Sequence, residues 1–312
     1  MTIVKPKALK KGDTIGIVAP ASPHSSNDKL NRGIRYLEQL GYKLVIGKHI
    51  NDKLGYLAGT DKGRASDINN FFSDKKIKAI FCTRGGYGSH RILEQIDYDI
   101  IKRNPKIFVG YSDITALQLA ILKKTGLITF AGPMLVTDLS KKLSADSEEH
   151  FWKCLTSPNP MGVINLFENQ TLKVLTHGKV AGKIIGGNLS VIAALAGTSY
   201  LPSFINSILI FEDIDERPYR IDRMLHQLNL ADLLDNLSGV ILGDFSTCLP
   251  EKDKPSLKLE EIFKSVLKNI PIIMDIKFGH IPNSITIPYG INVKLDTKKN
   301  EISFLESAVT DF

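Results

Sequence analysis

Short apolar runs alternate with stretches of helical spacing along the first half of the chain, which predicts strands and helices in a parallel α/β arrangement. Residues 14–20, TIGIVAP, form an apolar strand closed by its proline, and residues 29–40 then repeat apolar positions at Leu30, Ile34, Leu37 and Leu40. Gly41 ends that helix and residues 42–46 resume a strand. Residues 59–72 predict a second helix, with Arg64, Asp67 and Asn70 on its polar side and Ala65, Ile68, Phe71 and Phe72 on the other, followed by a strand at 77–82. The run Ile107, Phe108, Val109 breaks at Gly110 into a mostly apolar helix carrying Ile114, Leu117, Leu119 and Ile121. A strand at 127–131 stops at Gly132-Pro133, and residues 147–155 read as a helix that holds the single tryptophan, Trp152.

Beyond this the pattern changes. Residues 156–162, TSPNPMG, have the proline and polar content of an interdomain linker. Short β-like runs follow at 171–175 and 178–185, and Asn188 leads into a helix of small residues at 189–196. The apolar run 207–211 ends abruptly in Glu212-Asp213, and a helix with Ile221, Leu225 and Leu228 on one stripe follows Pro218. A strand at 239–242, a helix at 259–267 and short strands broken by turns over 272–295 complete the chain. The expected fold is α/β with two domains: a parallel-sheet domain at 1–155, a linker at 156–174, and a β-rich domain at 175–312.

Bulk properties narrow the function. Ordinary apolar and charged fractions over 312 residues predict a soluble globular protein, and the absence of a signal-like or membrane-length apolar run leads us to expect the cytosol. Cys82, Cys154 and Cys248 are too few and too scattered for a disulfide framework or a zinc site. The net charge of +7 favours an anionic partner, but dispersed lysines and the lack of an RNA-binding motif argue against nucleic acid.

Three separated stretches carry candidate chemistry. Ser112 stands where a buried strand breaks into a helix, a turn that holds a hydroxyl off the backbone and directs the next N–H, that of Asp113, into the same space. A serine there also suits a simple helix cap. The loop at 83–89, TRGGYGS, lacks a phosphate-loop or dinucleotide signature, but Gly85 and Gly86 permit a backbone N–H to approach a reacting carbonyl, unless they serve a tight turn alone. Cys82, at the end of an apolar strand, reads as a packed core thiol rather than a rival nucleophile. A serine needs a histidine to take its proton, and that histidine needs a carboxylate to orient it; Glu212, ending a strand, and His280, in the turn-rich tail, supply those types in the order Ser, Glu, His.

Taken together, GDTIGIVAPAS, TRGGYGS, VGYSDITAL, GKIIGGNLS, FEDIDERPYRIDRMLHQL, GVILGDF and FGHIPNSITIPYG make the chain similar, nearly end to end, to the LD-carboxypeptidase family, serine peptidases that include the microcin C self-immunity protein. The resemblance implies Ser112 as nucleophile, Glu212 rather than Asp213 as orienting carboxylate, and His280 as general base and acid. It further implies an oxyanion hole from the N–H groups of Gly86 and Asp113, no metal or cofactor, and a homodimer. Its members release the terminal D-alanine of murein tetrapeptides in cell-wall recycling. Gly85, Arg84 and Asn188 are candidates for contact with substrate, Arg84 for a terminal carboxylate unless it forms an ion pair bracing the loop. With the serine in one half and its partners in the other, the site is expected at the junction, where relative movement of the halves would separate base from nucleophile. Two other functions fit the same motifs: a self-immunity peptidase acting on peptide- or aminoacyl-nucleotides, for which Trp152 or a loop aromatic would stack on the base, and a non-catalytic wall-peptide binder.

Overall fold

The computed structural model describes residues 2–164 and 172–311. Part of the expected linker, 165–171, thus lies outside the described residues. The first half follows the predicted alternation: β1 (Thr14–Val18), α1 (Asn27–Gln39), β2 (Lys43–Ile46), α2 (Asp61–Ser73), β3 (Ile77–Cys82), α3 (Tyr98–Arg103), β4 (Ile107–Gly110), α4 (Thr115–Thr125), β5 (Thr129–Ala131) and α5 (Ala145–Thr156). Next come β6 (Gly162–Val163), β7 (Lys173–Thr176), β8 (Lys179–Asn188), α6 (Leu189–Leu195), β9 (Ser207–Glu212), α7 (Pro218–Leu230) and β10 (Gly239–Leu242). The chain finishes with α8 (Leu259–Val266), β11 (Ile272–Met274), β12 (Ile287–Tyr289), β13 (Asn292–Asp296) and β14 (Glu301–Phe304).

Two sheets result. The first has the order β12-β5-β4-β3-β1-β2 and the second β6-β14-β13-β8-β9-β10-β11-β7. The strands β2, β1, β3, β4 and β5 run parallel, as βαβ crossovers require; the near-continuous apolar sequences of β1, β3, β4 and β5 are buried almost throughout, while the edge strand β2 is largely exposed. In the second sheet β8 to β11 are parallel and the flanking strands pair antiparallel. One continuous apolar core links the layers.

The sheets do not divide where the sequence pattern changes. β12 leaves the second half to pair antiparallel with β5, Tyr289 opposite Thr129, so the short strands expected at 272–295 are shared between both sheets. Periodicity identifies such a strand but not its partner. The polar side expected for α2 is also not a solvent face. Arg64 and Asp67 are buried, Arg64 donating to the carbonyls of Pro20 and Gly88 and pairing with Asp61, and Asp67 accepting from the His49 N–H at 2.9 Å. These side chains pin the loops that surround the glycine-rich segment.

Candidate active site

β4 delivers the chain to Ser112 through Tyr111 in an extended conformation, and Ser112 itself takes φ 64°, the left-handed region that side chains other than glycine seldom occupy. A short 3₁₀ turn, Ser112–Ile114, leads straight into α4. Ser112 accepts no bond as a helix cap. Its hydroxyl lies instead 2.8 Å from Nε2 of His280, and Nδ1 of the same ring lies 2.7 Å from Oε2 of Glu212. A buried carboxylate can only accept here, so Nδ1 carries the proton and Nε2 is left to accept from the serine.

Glu212 comes from the last position of β9 and is buried, whereas His280 comes from the loop after β11 and is half-buried. Gly279 allows their approach, because a Cβ on it would sit 2.8 Å from Glu212 Oε2. Burial disfavours the imidazolium, but the hydrogen bond from Nδ1–H to Glu212 and the charges of Glu212, Asp213 and Asp138 outweigh it, so the His280 pKa is raised above its ordinary value. The Tyr111 ring packs edge-on against the imidazole, centroids 5.3 Å apart.

Asp213 faces away from the histidine. Its carboxylate accepts from Asn188 Nδ2 (3.0 Å), the Ser190 N–H (2.8 Å) and the Ile214 N–H (2.9 Å), and burial pushes its pKa up to about 6. Asn188 stands beside Glu212 in strand register, but its buried side chain caps α6 and binds Asp213, which makes it part of the floor of the site.

The glycine-rich loop packs directly on the serine. A Cβ on Gly85 would lie 2.8 Å from Ser112 Cβ, 3.0 Å from its Oγ and 3.3 Å from the Asp113 nitrogen. Gly86, at φ 114°, is pressed against Ser22, whose Oγ accepts from the Tyr87 N–H, and the Gly86 N–H has no hydrogen-bond acceptor among the described residues. The Asp113 carboxylate is buried and accepts from the Ser89 N–H at 2.8 Å, tying elbow and loop together. Arg84 is half-buried and forms no ion pair among the described residues.

Two other candidates are excluded by their surroundings. Cys82 is fully buried and burial pushes its thiol well above the ordinary range, leaving no thiolate for chemistry. Trp152 is stacked on Tyr42 at 5.2 Å, lies against Phe151 and Phe81, and donates to the Tyr36 hydroxyl, so it has no free face for a nucleobase.

Known proteins resemble the chain over nearly its whole length. Residues 15–132 match the LD-carboxypeptidase N-terminal domain and residues 181–295 the LD-carboxypeptidase C-terminal domain. The chain belongs to the LD-carboxypeptidase family. It is 39% identical over 309 residues to a probable murein peptide carboxypeptidase of Bacillus subtilis, covering 98% of this chain and 96% of that one. Among solved structures, the muramoyltetrapeptide carboxypeptidase of Oxalobacter formigenes superposes with a TM-score of 0.79 at 30% identity, covering 93% of this chain and 97% of the other. MccF in complex with glutamyl sulfamoyl guanosine superposes with a TM-score of 0.87 at 31% identity, over 98% and 99%. The two-domain α/β fold is that of the family. Among the described residues no helix is long and apolar enough to cross a membrane, and no cluster of ligating side chains could hold a metal ion.

Proposed function

We propose that the protein is a serine carboxypeptidase that releases the terminal D-alanine of murein tetrapeptides, with Ser112, His280 and Glu212 as its catalytic residues. The observation that carries this reading is the unbroken line from Ser112 Oγ to His280 Nε2 and from Nδ1 to Glu212, at a serine held in the left-handed region. A non-catalytic binder has no need of either feature.

In the proposed reaction Ser112 Oγ attacks the carbonyl of the L-configured third residue while its proton passes to His280 Nε2. The oxyanion is received by the N–H groups of Gly86 and Asp113. Collapse breaks the C–N bond, and His280 returns the proton to the D-alanine nitrogen as it leaves. A water deprotonated by His280 then attacks the acyl-serine ester, which frees the tripeptide and restores the serine. Arg84, free of an internal ion pair, is assigned to the D-alanine carboxylate. We further infer a cytoplasmic homodimer, a state that light scattering on the purified protein measures directly.

A second reading, hydrolysis of an aminoacyl sulfamoyl nucleoside, finds one supporting observation. Tyr87, next to Gly86, is exposed and edge-on to the exposed Tyr56, leaving ring surface free to stack on a base. Mass spectrometry of a murein tetrapeptide incubated with metal-free wild-type protein and with Ser112→Ala tests both readings. Loss of one D-alanine in the wild type alone supports the first. Cleavage of an aminoacyl sulfamoyl nucleoside but not of the tetrapeptide supports the second, and equal cleavage by both proteins removes Ser112 from the mechanism.

A further inference from the structure

Tyr289 is fully buried, and its hydroxyl has no hydrogen-bond partner among the described residues. A buried hydroxyl left unpaired costs about 1–3 kcal/mol, and phenylalanine would fill the same volume without that cost. The hydroxyl points into a cavity also lined by Ser112, Thr115, Gly187 and Glu212. Gly187 keeps this space open: a Cβ on it would fall 2.6 Å from Thr115 Oγ1 and 3.0 Å from the Tyr289 hydroxyl, so both hydroxyls converge where a side chain would begin. The cavity measures about 20 Å³, and a water needs on the order of 10–15 Å³ with two to four polar partners. Glu212 uses Oε2 for His280, and its second oxygen makes no hydrogen bond among the described residues.

We propose that Tyr289 is a positioning residue for the catalytic carboxylate, its hydroxyl donating through one buried water to the free oxygen of Glu212. This rests on the reading of Glu212 as the carboxylate that orients His280. The water would accept from Tyr289 and donate to Glu212 and Thr115 Oγ1, which completes the partners it requires. Glu212 is then held at both oxygens, and the carboxylate cannot swing away as positive charge develops on the imidazole. The burial that pushes the Tyr289 phenol well above its ordinary range keeps it a donor at all working pH values. Tyr289 belongs to β12, the strand of the second half that joins the first sheet, so the contact also ties the carboxylate of one sheet to the framework of the other.

The test is Tyr289→Phe, alone and combined with Glu212→Gln, read in two ways. Proton NMR of the low-field resonance of the His280 Nδ1–H needs no substrate. It shifts in Tyr289→Phe if the tyrosine acts on the carboxylate; an unshifted resonance overturns the proposal even if the substrate has been misassigned. In turnover of the tetrapeptide, Tyr289→Phe lowers kcat on the order of tenfold with KM and Tm unchanged. In the Glu212→Gln background the same change has no further effect, because the group it acts through is gone. Equal losses in both backgrounds, or a loss that tracks a fall in Tm, overturn it.

Discussion

Gly85→Ala is the sharpest probe of the loop that faces the nucleophile. The φ of Gly85 is not in the left-handed region, so alanine meets no backbone obstacle there and the effect is one of space. Its Cβ would start 2.8 Å from Ser112 Cβ, while ordinary contacts begin at 3.4 Å, so loop and serine must part by about 0.6 Å. Ser112 has little freedom to yield, since its elbow runs directly from β4 into α4. The loop must move instead, carrying the Gly86 N–H away from the position an oxyanion would occupy. A displacement near 1 Å costs about 10²-fold in rate, so about 0.6 Å predicts a kcat lower by roughly ten- to a hundredfold. Overpacking adds a stability cost of about 1–3 kcal/mol. Release of D-alanine followed by mass spectrometry gives kcat and KM, and a thermal melt gives the second quantity. Wild-type kcat with an unchanged Tm would show that the loop does not abut the serine and would refute the assignment of its N–H to the oxyanion.

The charged groups of the site lead to three further predictions. His280 must be neutral to accept the serine proton, so kcat/KM falls as pH drops through its raised pKa, and the acid limb lies above the ordinary histidine value of about 6.5. Glu212→Gln removes the largest of the contributions that raise it, leaving those of Asp213 and Asp138, so the limb moves to lower pH and kcat falls by a factor of order 10⁴; a limb that stays in place would mean that Glu212 does not face the base. Asp213→Asn keeps an oxygen to accept from Asn188 and Ile214 but sets an amide N–H against the Ser190 N–H, and is expected to cost about 1–3 kcal/mol by denaturant melt, whereas an unchanged midpoint would show that the Ser190 bond does not hold α6.

The strands and helices of the first half were legible because each is an apolar run or a helical stripe ended by a glycine or proline. The strand, glycine and serine of the elbow could be read, but the left-handed φ of Ser112 could not, because an isolated serine is compatible with either a cap or an elbow. Pairing Ser112 with residues as distant as Glu212 and His280 came from the resemblance of motifs, since no local pattern reports contacts over such separations. Arg64 and Asp67 could be placed on one side of α2, but not their burial, because charge patterning cannot see the loop carbonyls and N–H groups that enclose them. Tyr289 carried no signal beyond a strand aromatic; its meaning lies in an unpaired hydroxyl and in the space left by Gly187.

The way the His280 loop is anchored changes what movement between the halves would do. The line from Ser112 through His280 to Glu212 spans both sheets, with Ser112 following β4 and Glu212 ending β9, but the segment after His280 is fastened to the first half at several points. Asn283 accepts from the Ser144 N–H through its side chain and from the Ser147 hydroxyl through its carbonyl, each at 2.8 Å. His150 of α5 lies 2.9 Å from the Thr286 carbonyl oxygen, and β12 then pairs with β5. These contacts hold His280 against the sheet that carries Ser112. A small shift of the second sheet would therefore draw Glu212 away from His280 before it separated His280 from Ser112. The carboxylate is the partner exposed to that motion, and a hold on its free oxygen from β12 acts against it.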